Sequence, residues 1–458
     1  MKKALLVALL LGIIGLIAGS YSYRFRGEEP TRVVMAFEME YFGSYAQPTY
    51  LGENYYRKPP LFNWLAIFSS KLWGWNQFTG RFVSIVSTVL VLILIYLFSY
   101  RFVFKGEQLP SLMSAAAFLG FIDVVFWYGF LSEIDMTLTF FVFGTIFSLF
   151  IAFETASIIY FAIAGLLTGF SFLLKGFPAP VFFAVTYTVL AGVYFFKSRQ
   201  HFFRYIVGLI AAILSGFIPV AVWVYSLPDP EKYISVLWRE SFGRVKASTD
   251  ITKFFYHLVY YPVLNIKQTL LVSAVLLVFA VFNFRSVIRG LVDRGILPVV
   301  LVFVVNYIPY WISAGARGRY ILPILPLFAV IGIYFIWNYG GKKLKNVLLG
   351  VLIFTFVVRI GVGLFYFPYE TEKKGLYLKI SGDMKKVIAP AYYGKIASNC
   401  DVHKGLIYYV DAFSGKPVLS ERKLPDWNYF IDCKGKLAGK PVRVYDYKGQ
   451  KIRLFFRE

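Results

Sequence analysis

The sequence predicts an α-helical polytopic membrane protein with interfacial helices in its first outer loop and a small extracytoplasmic α/β domain at its C-terminal end. Three observations predict it. Hydrophobic residues fill 58% of the 458 positions and charged residues only 16%, whereas a soluble domain is closer to half apolar and a quarter charged. Apolar runs long enough to cross a hydrocarbon core of about 30 Å recur along the chain. Lys and Arg gather in alternate short connections, as the positive-inside rule requires.

The chain opens with MKKALLVALLLGIIGLIAGSYSY. Its charged start matches a signal peptide, but the apolar run is long for one. It reads as an uncleaved first span with Lys2 and Lys3 in the cytoplasm. Further spans are expected near 81–100, 109–128, 135–153, 157–174, 177–196, 205–226, 269–284, 296–313, 320–338 and 346–367, about eleven in all. The alternation places the connections 101–105, 197–204, 285–294 and 342–345 in the cytoplasm, and all four are basic. It places outside the first loop, the turn at Glu133 and Asp135, the loop 227–268 and the tail.

The first outer loop is structured. Val34, Phe37 and Tyr41 recur at helical spacing, as do Leu61, Trp64, Leu65, Phe68, Leu72 and Trp75. Both stretches are too short to span, so they are expected as amphipathic helices in the interface plane, or as buried loop helices. GSYAQPTYLGENYY between them carries turn residues and reads as a loop or hairpin.

Past the last span the composition changes. Residues 1–367 form the transmembrane unit and 368–458 a separate α/β domain. LIYYV (406–410), NYFID (428–432) and VRVYDY (442–447) read as strands. Cys400 and Cys433 are either a disulfide, as an exported domain permits, or two buried thiols.

The net charge of +23 sits largely at membrane ends, and no basic aromatic module is present, so nucleic-acid binding is excluded. His201, His257 and His403 are far apart, so no zinc-type ligand cluster is expected. No Walker-type loop and no GxSxG occur. The sequence calls for no cofactor; a divalent metal ion stays open.

The chemistry concentrates between Arg26 and Trp64. Glu28 and Glu29 precede Pro30 at the mouth of the first span. A shielded carboxylate is a competent general base for a hydroxyl nucleophile; acids here would equally complement the dipole of the following helix. Arg57 and Lys58 stand against Pro59 and Pro60. Pro59 biases Lys58 toward extended backbone, and guanidinium and ammonium together suit a phosphate. Attraction to anionic lipid is the alternative. Asp135 begins a span in SEIDMTLTFF, where an ionisable group is costly and by default functional. Lys175 ends LLKGFPAP's first half at an outer membrane edge, where it could also snorkel. Trp238, Glu240 and Arg244 share the polar loop 227–268. Arg317 and Arg319 run against the charge bias in SAGARGRYILPILP and call for an anionic partner. Tyr320 then heads a span that Pro323 and Pro326 interrupt.

GEEPTR followed by EMEYFGSYAQPTYLGENYYRKPPLFNW resembles the first outer loop of the lipid A aminoarabinose transferase and protein O-mannosyltransferase-like families, membrane glycosyltransferases of the GT-C type. SEIDM, LLKGFPAP, LWRESFGR and RGRYILPILP follow in the same order, so the likeness covers residues 1–367. The resemblance implies a cavity at the outer membrane face, a polyprenyl-phosphate-linked sugar as donor and inversion at the anomeric carbon. It puts the catalytic acids on Glu28 and Glu29. It gives Lys58, Arg244 and Tyr320 to the lipid phosphate, Asp135 to the cavity and Arg317 one place from a family lysine. Arg57 replaces the glutamate of the family's Glu-Lys-Pro.

The expected function is therefore transfer of a sugar from a polyprenyl phosphate to a hydroxyl or phosphate of a lipid, glycan or protein acceptor, at the outer face of a bacterial inner membrane. Arg57, Asp135, Glu240 and Arg317 join Lys58, Arg244 and Tyr320 as expected substrate contacts. The rival is a flippase for lipid-linked sugars, which would also want outer cations and broken helices but no carboxylate pair.

Overall fold

The computed structural model describes residues 1–197, 199–243, 251–291, 293, 295–313 and 315–458. A helix stands at every span expected from the sequence. Helix α1 (Lys2–Ile17) leads, through a turn, into α2 (Glu29–Phe42), the short hairpin β1 (Thr49–Tyr50) and β2 (Glu53–Asn54), and α3 (Leu61–Trp73). Helices α4 (Phe78–Phe98), α5 (Gln108–Leu119), α6 (Ile134–Thr155), α7 (Ile158–Lys175), α8 (Pro178–Lys197) and α9 (Phe202–Tyr225) follow. After α10 (Pro230–Phe242) come α11 (Ile251–Gln268), α12 (Leu270–Phe282), α13 (Phe284–Leu291), α14 (Leu297–Trp311), α15 (Leu325–Tyr339) and α16 (Lys342–Gly361).

Among the described residues, seven helices are long and apolar enough to cross a membrane: Phe78–Val103, Ile134–Thr155, Ile158–Lys175, Pro178–Phe195, Phe202–Tyr225, Gly318–Tyr339 and Lys342–Lys374. Helices α11 and α12 qualify only together and are bent by 110°. Helices α1, α5 and α14 have 16, 12 and 15 residues; at about 1.5 Å per residue each falls short of a 30 Å core. Close packing at glycine shapes the bundle. A side chain at Gly165 would strike the Ala212 carbonyl oxygen at 1.9 Å, so α7 and α9 meet backbone to backbone.

Segments Ile134–Thr155 and Gly318–Tyr339 are the most enclosed, each 83% buried over its apolar window, against 17% for Phe202–Tyr225. The N-terminal ends of both line one cavity, through Ile134 and Asp135 and through Arg319 and Tyr320.

The loop between α1 and α4 is held from both sides. Helix α2 is buried from Glu29 to Met39, so it does not lie open in an interface plane as expected. The C-terminal tail covers it. Helix α3 is two-sided: Leu61, Phe62, Ala66 and Ile67 face inward, while Phe68 and Leu72 of the expected apolar stripe are 67% and 58% exposed. The hairpin turn has Leu51 at φ +55° and Gly52 at +71°, the positive values a two-residue hairpin demands. Glu38 of α2, fully buried, pins that turn: it accepts from Thr49 Oγ1 (2.7 Å), Leu51 N (2.6 Å) and Gly52 N (3.0 Å).

Burial pushes the Glu38 carboxyl from 4.5 up to about 7, against the pull of its three donors. A carboxyl that holds its proton more tightly when folded contributes stability that is complete below pH 4.5 and lost as pH rises through 7. Thermal unfolding in detergent should therefore show a loss of about 3 kcal/mol across that window. Glu38→Gln should remove about that share of the parent's pH dependence, leaving the part that belongs to other raised carboxyls such as Glu133, whatever it does to absolute stability.

The tail continues from α16 into α17 (Phe367–Lys374) and α18 (Leu376–Val387), then β3 (Ile396–Ser398), α19 (Lys404–Ser414), β4 (Tyr429–Asp432), β5 (Arg443–Tyr447) and β6 (Gln450–Phe456). The sheet order is β3-β4-β6-β5, with β3 parallel to β4 and the other pairs antiparallel. Residues 428–432 and 442–447 supply β4 and β5 as expected. Residues 406–410 do not form a strand: they belong to α19, where Ile407, Val410 and Asp411 are buried at helical spacing and Gly415 at φ +68° ends the helix. Burial of one face outweighed the strand propensity of Ile, Tyr and Val. Cys400 and Cys433 are joined in a disulfide with Cα atoms 5.1 Å apart.

The tail is not a separate core. Phe25, Val33, Val34, Met35 and Leu51 of the first loop pack with Ile380, Met384, Leu406, Ile407, Val410 and Ile431 of the tail. Tyr23 Oη donates to Glu370 (2.6 Å) and Tyr408 Oη to the Asn76 carbonyl (2.7 Å). The expected boundary at residue 367 falls inside the helical run Lys342–Lys374.

Candidate active site

Gly27, at φ +54°, turns the chain into α2 and leaves room for a carboxylate: a side chain there would meet Glu133 Oε1 at 2.8 Å. Glu28 follows as the residue before α2, exposed, and its side chain makes no capping bond. Its carboxylate lines a cavity of about 600 Å³. Arg57, Lys58, Asp135, Glu240, Arg317 and Tyr320 line the same cavity. Seven of the nine residues expected as catalytic acids or substrate contacts thus converge from five separate segments.

Glu29 does not join them. It is fully buried and turned away, its Oε1 and Oε2 2.8 and 2.9 Å from Arg81 Nε and Nη2. It also accepts from Ser132 N (2.9 Å) and Arg26 N (2.8 Å). Arg81, likewise 0% exposed, donates in addition to the carbonyls of Ser20, Tyr23 and Arg24, so all five of its donors are used. The joint assignment of the base to Glu28 and Glu29 is corrected on this point: the second acid is a buried tie between the loop and α4. Arg244 lies outside the described residues.

The cation that the double proline was expected to hold is fixed by its backbone. Tyr233 of α10 donates its hydroxyl to the Lys58 carbonyl at 2.7 Å. Helix α10 also supplies Glu240, 3.9 Å from Arg57 Nε. On the opposite wall Asp135, in the first turn of α6, lies 3.5 Å from Lys175 Nζ and 3.5 Å from Arg319 Nη1. Arg319 also pairs with Glu133. Burial first and the Asp135 charge second raise the Glu133 carboxyl to about 7, against the pull of Arg319. Lys175 Nζ stands 4.6 Å from the centre of the Tyr320 ring. Tyr320 sits in the tight turns Gly318–Ile324 that precede α15; Pro323 and Pro326 delay the regular helix, as the sequence implied.

Among the described residues the lining carries six cations, Arg32, Arg57, Lys58, Lys175, Arg317 and Arg319, against four carboxylates, Glu28, Glu133, Asp135 and Glu240. The excess is positive and suits a phosphate. Phe177, Pro178, Val181, Phe242 and Ile312 provide an apolar side. Sequence reasoning passed over Arg32 and Tyr55. Arg32 had a signal: it stands four residues after Glu28, hence on the same helical face. Tyr55 had none beyond lying beside Arg57.

Residues 57–223 match the family described as dolichyl-phosphate-mannose-protein mannosyltransferase. Undecaprenyl phosphate-alpha-4-amino-4-deoxy-L-arabinose arabinosyl transferase 1 of Pseudomonas fluorescens is 27% identical over 354 residues, which cover 74% of this chain and 60% of that protein. Transferase 2 of Proteus mirabilis is 26% identical over 247 residues, covering 53% and 43%. The matches thus span three fifths or less of these curated relatives. ArnT from Cupriavidus metallidurans, solved with undecaprenyl phosphate bound, superposes with a TM-score of 0.71 at 14% identity, over 99% of this chain and 97% of that one. The same protein in the apo state gives 0.70 at 12% identity. The fold is the one these structures share, and the resemblance to the aminoarabinose transferase and mannosyltransferase-like families holds.

Proposed function

We propose that this chain is an inverting membrane glycosyltransferase that moves a sugar from a polyprenyl-phosphate donor to an oxygen nucleophile of a lipid, glycan or protein acceptor. The observation that carries the reading is the cavity itself: Glu28, Lys58 and Tyr320 meet there from three segments, with cations in excess and an apolar side for an isoprenoid. The likeness to undecaprenyl-phosphate sugar transferases supports it.

The donor phosphate binds Lys58 and Tyr320, and Arg244 completes the set on the sequence motif. Glu28 accepts the proton of the acceptor hydroxyl, whose oxygen bonds to the anomeric carbon. The bond from that carbon to the phosphate oxygen breaks on the opposite face, and the electron pair leaves with the polyprenyl phosphate. Negative charge grows on that phosphate, so its cations bind the transition state more tightly than the ground state. Glu133, Asp135, Lys175 and Arg319 hold the far wall as a paired network. The cavity lies at the outer face of the membrane, with residues 368–458 closing the site from outside. Basic connections at the opposite membrane ends and the Cys400–Cys433 disulfide support that orientation.

Purified protein in detergent, given an undecaprenyl-phosphate-linked aminoarabinose and a membrane extract, should release undecaprenyl phosphate and add the mass of the sugar to an acceptor. A flippase releases nothing without a bilayer. Lys58→Ala removes a charge-assisted contact of about 2–3 kcal/mol and should lower turnover about a hundredfold; turnover within a factor of three of the parent would overturn the assignment of Lys58.

A further inference from the structure

A regular α-helix stiffens itself through its own backbone hydrogen bonds. The segment that brings Arg317, Arg319 and Tyr320 to the cavity lacks that support. Residues Gly318–Ile324 form tight turns, and Pro323 and Pro326 have no N–H to give. The segment therefore depends on contacts from outside it. Two of them come from α11. Tyr261 donates its hydroxyl to the Arg317 carbonyl at 3.4 Å. Gln268, the last residue of α11 and buried, lies against Gly318: a side chain there would strike Gln268 Nε2 at 2.5 Å, Cδ at 2.9 Å and Oε1 at 2.9 Å.

The Gln268 carboxamide is itself fixed. Its Nε2 donates to Asp123 Oδ2 at 2.7 Å. Directly after it α11 bends by 110° into α12, and Thr269 Oγ1 closes the corner by donating to the Asn265 carbonyl at 3.0 Å. Asp123 stands in the connection from α5 to α6, which also carries Glu133. From the cavity side, Arg319 pairs with Glu133 and with Asp135. Two bridges thus join the same two segments, Arg319 in front and Gln268 behind. Neither Gln268 nor Asp123 lines the cavity.

We infer that Gln268, held by Asp123, is a positioning residue: its carboxamide backs Gly318 and thereby fixes Arg317, Arg319 and Tyr320 where they meet the cavity. It acts through the backbone of Gly318 and not on the reacting atoms. The inference rests on the proposed reading of the cavity only for its consequence, the grip of Tyr320 on the donor phosphate. The contact also accounts for glycine at position 318. In a close-packed interior a methyl group there has no room, so it would drive the amide off Asp123 or push the segment out of place.

The test uses the full chain in detergent. Cys400 and Cys433 are joined in a disulfide, so Tyr320→Cys introduces a free thiol whose maleimide labelling reports how firmly the segment is held. Adding Gln268→Ala should raise that rate about tenfold, and Asp123→Leu should do the same. Asp123→Asn, whose side-chain oxygen still accepts, should stay within about twofold of the parent rate. Gly318→Ala should also raise it, and no further when combined with Gln268→Ala, because the methyl group then meets no amide. Should Gln268→Ala not fold, Gly318→Ala carries the same expectation. Glu240→Cys, on the other wall, should label at one rate in all these backgrounds. An unchanged rate at Tyr320→Cys, or an equal rise at Glu240→Cys, overturns the inference. In turnover of an undecaprenyl-phosphate-linked aminoarabinose with a membrane extract, Gln268→Ala should lower kcat/KM about tenfold in the parent. In Tyr320→Phe, where the hydroxyl to be positioned is gone, the loss should be less than about threefold. An equal loss in both backgrounds also overturns the positioning role. If the parent transfers no sugar, the proposed function has failed by itself, and the labelling rates still decide.

Discussion

Glu28→Gln is expected to lower turnover a hundred- to ten-thousandfold, the range general-base catalysis supplies. The amide keeps the size of the side chain and loses the ability to take a proton. Glu28 is exposed, bonds to no backbone donor of α2 and lines the cavity. Its replacement should leave thermal unfolding within about 0.5 kcal/mol of the parent. Binding of undecaprenyl phosphate should also persist, because the phosphate contacts lie on other segments. Single-turnover release of undecaprenyl phosphate from a lipid-linked sugar reads the effect. A variant that keeps more than a tenth of the parent rate would remove Glu28 from the role of base.

Glu29→Ala should fail in the opposite way. The substitution strands Arg81, fully buried, with two donors unpaired, and frees the amides of Ser132 and Arg26. Breaking a buried pair by removing one partner costs about 3–5 kcal/mol, enough to unfold many proteins of ordinary stability. Thermal unfolding in detergent should report most of that loss. Replacing both partners with apolar residues, Glu29→Leu with Arg81→Met, should recover much of it, because no buried charge is then left alone. Turnover per folded molecule should fall far less in Glu29→Ala than in Glu28→Gln. Two neighbouring glutamates thus separate into one that lines the cavity and one that holds the loop on α4.

That separation was not legible in the sequence. Glu28 and Glu29 have the same side chain and the same neighbours, so no local rule tells them apart. What divides them is the position of Arg81, 52 residues further on, which reaches back and takes one. Arg32 was missed for a related reason. An arginine in a helix looks solvated until the tail is seen to cover α2. The strand expected over 406–410 failed similarly: Ile, Tyr and Val favour strands until one helical face finds a core to enter.

Other features were legible because they rest on local chemistry. The double proline marked the segment that presents Lys58, and the turn residues between Ala46 and Asn54 marked the hairpin. Asp135 and Tyr320 stood out because ionisable and polar groups at the start of apolar helices are expensive and rarely idle. By itself the sequence determined the helices, the loop that supplies Glu28, Arg57 and Lys58 to the cavity and most of the residues that meet there, since apolar period and charge placement are local properties. Only the tertiary structure decided which acid lines the cavity and which is buried against Arg81, and that the tail shares its core with the first loop, because pairing and burial are set by segments far apart in the chain.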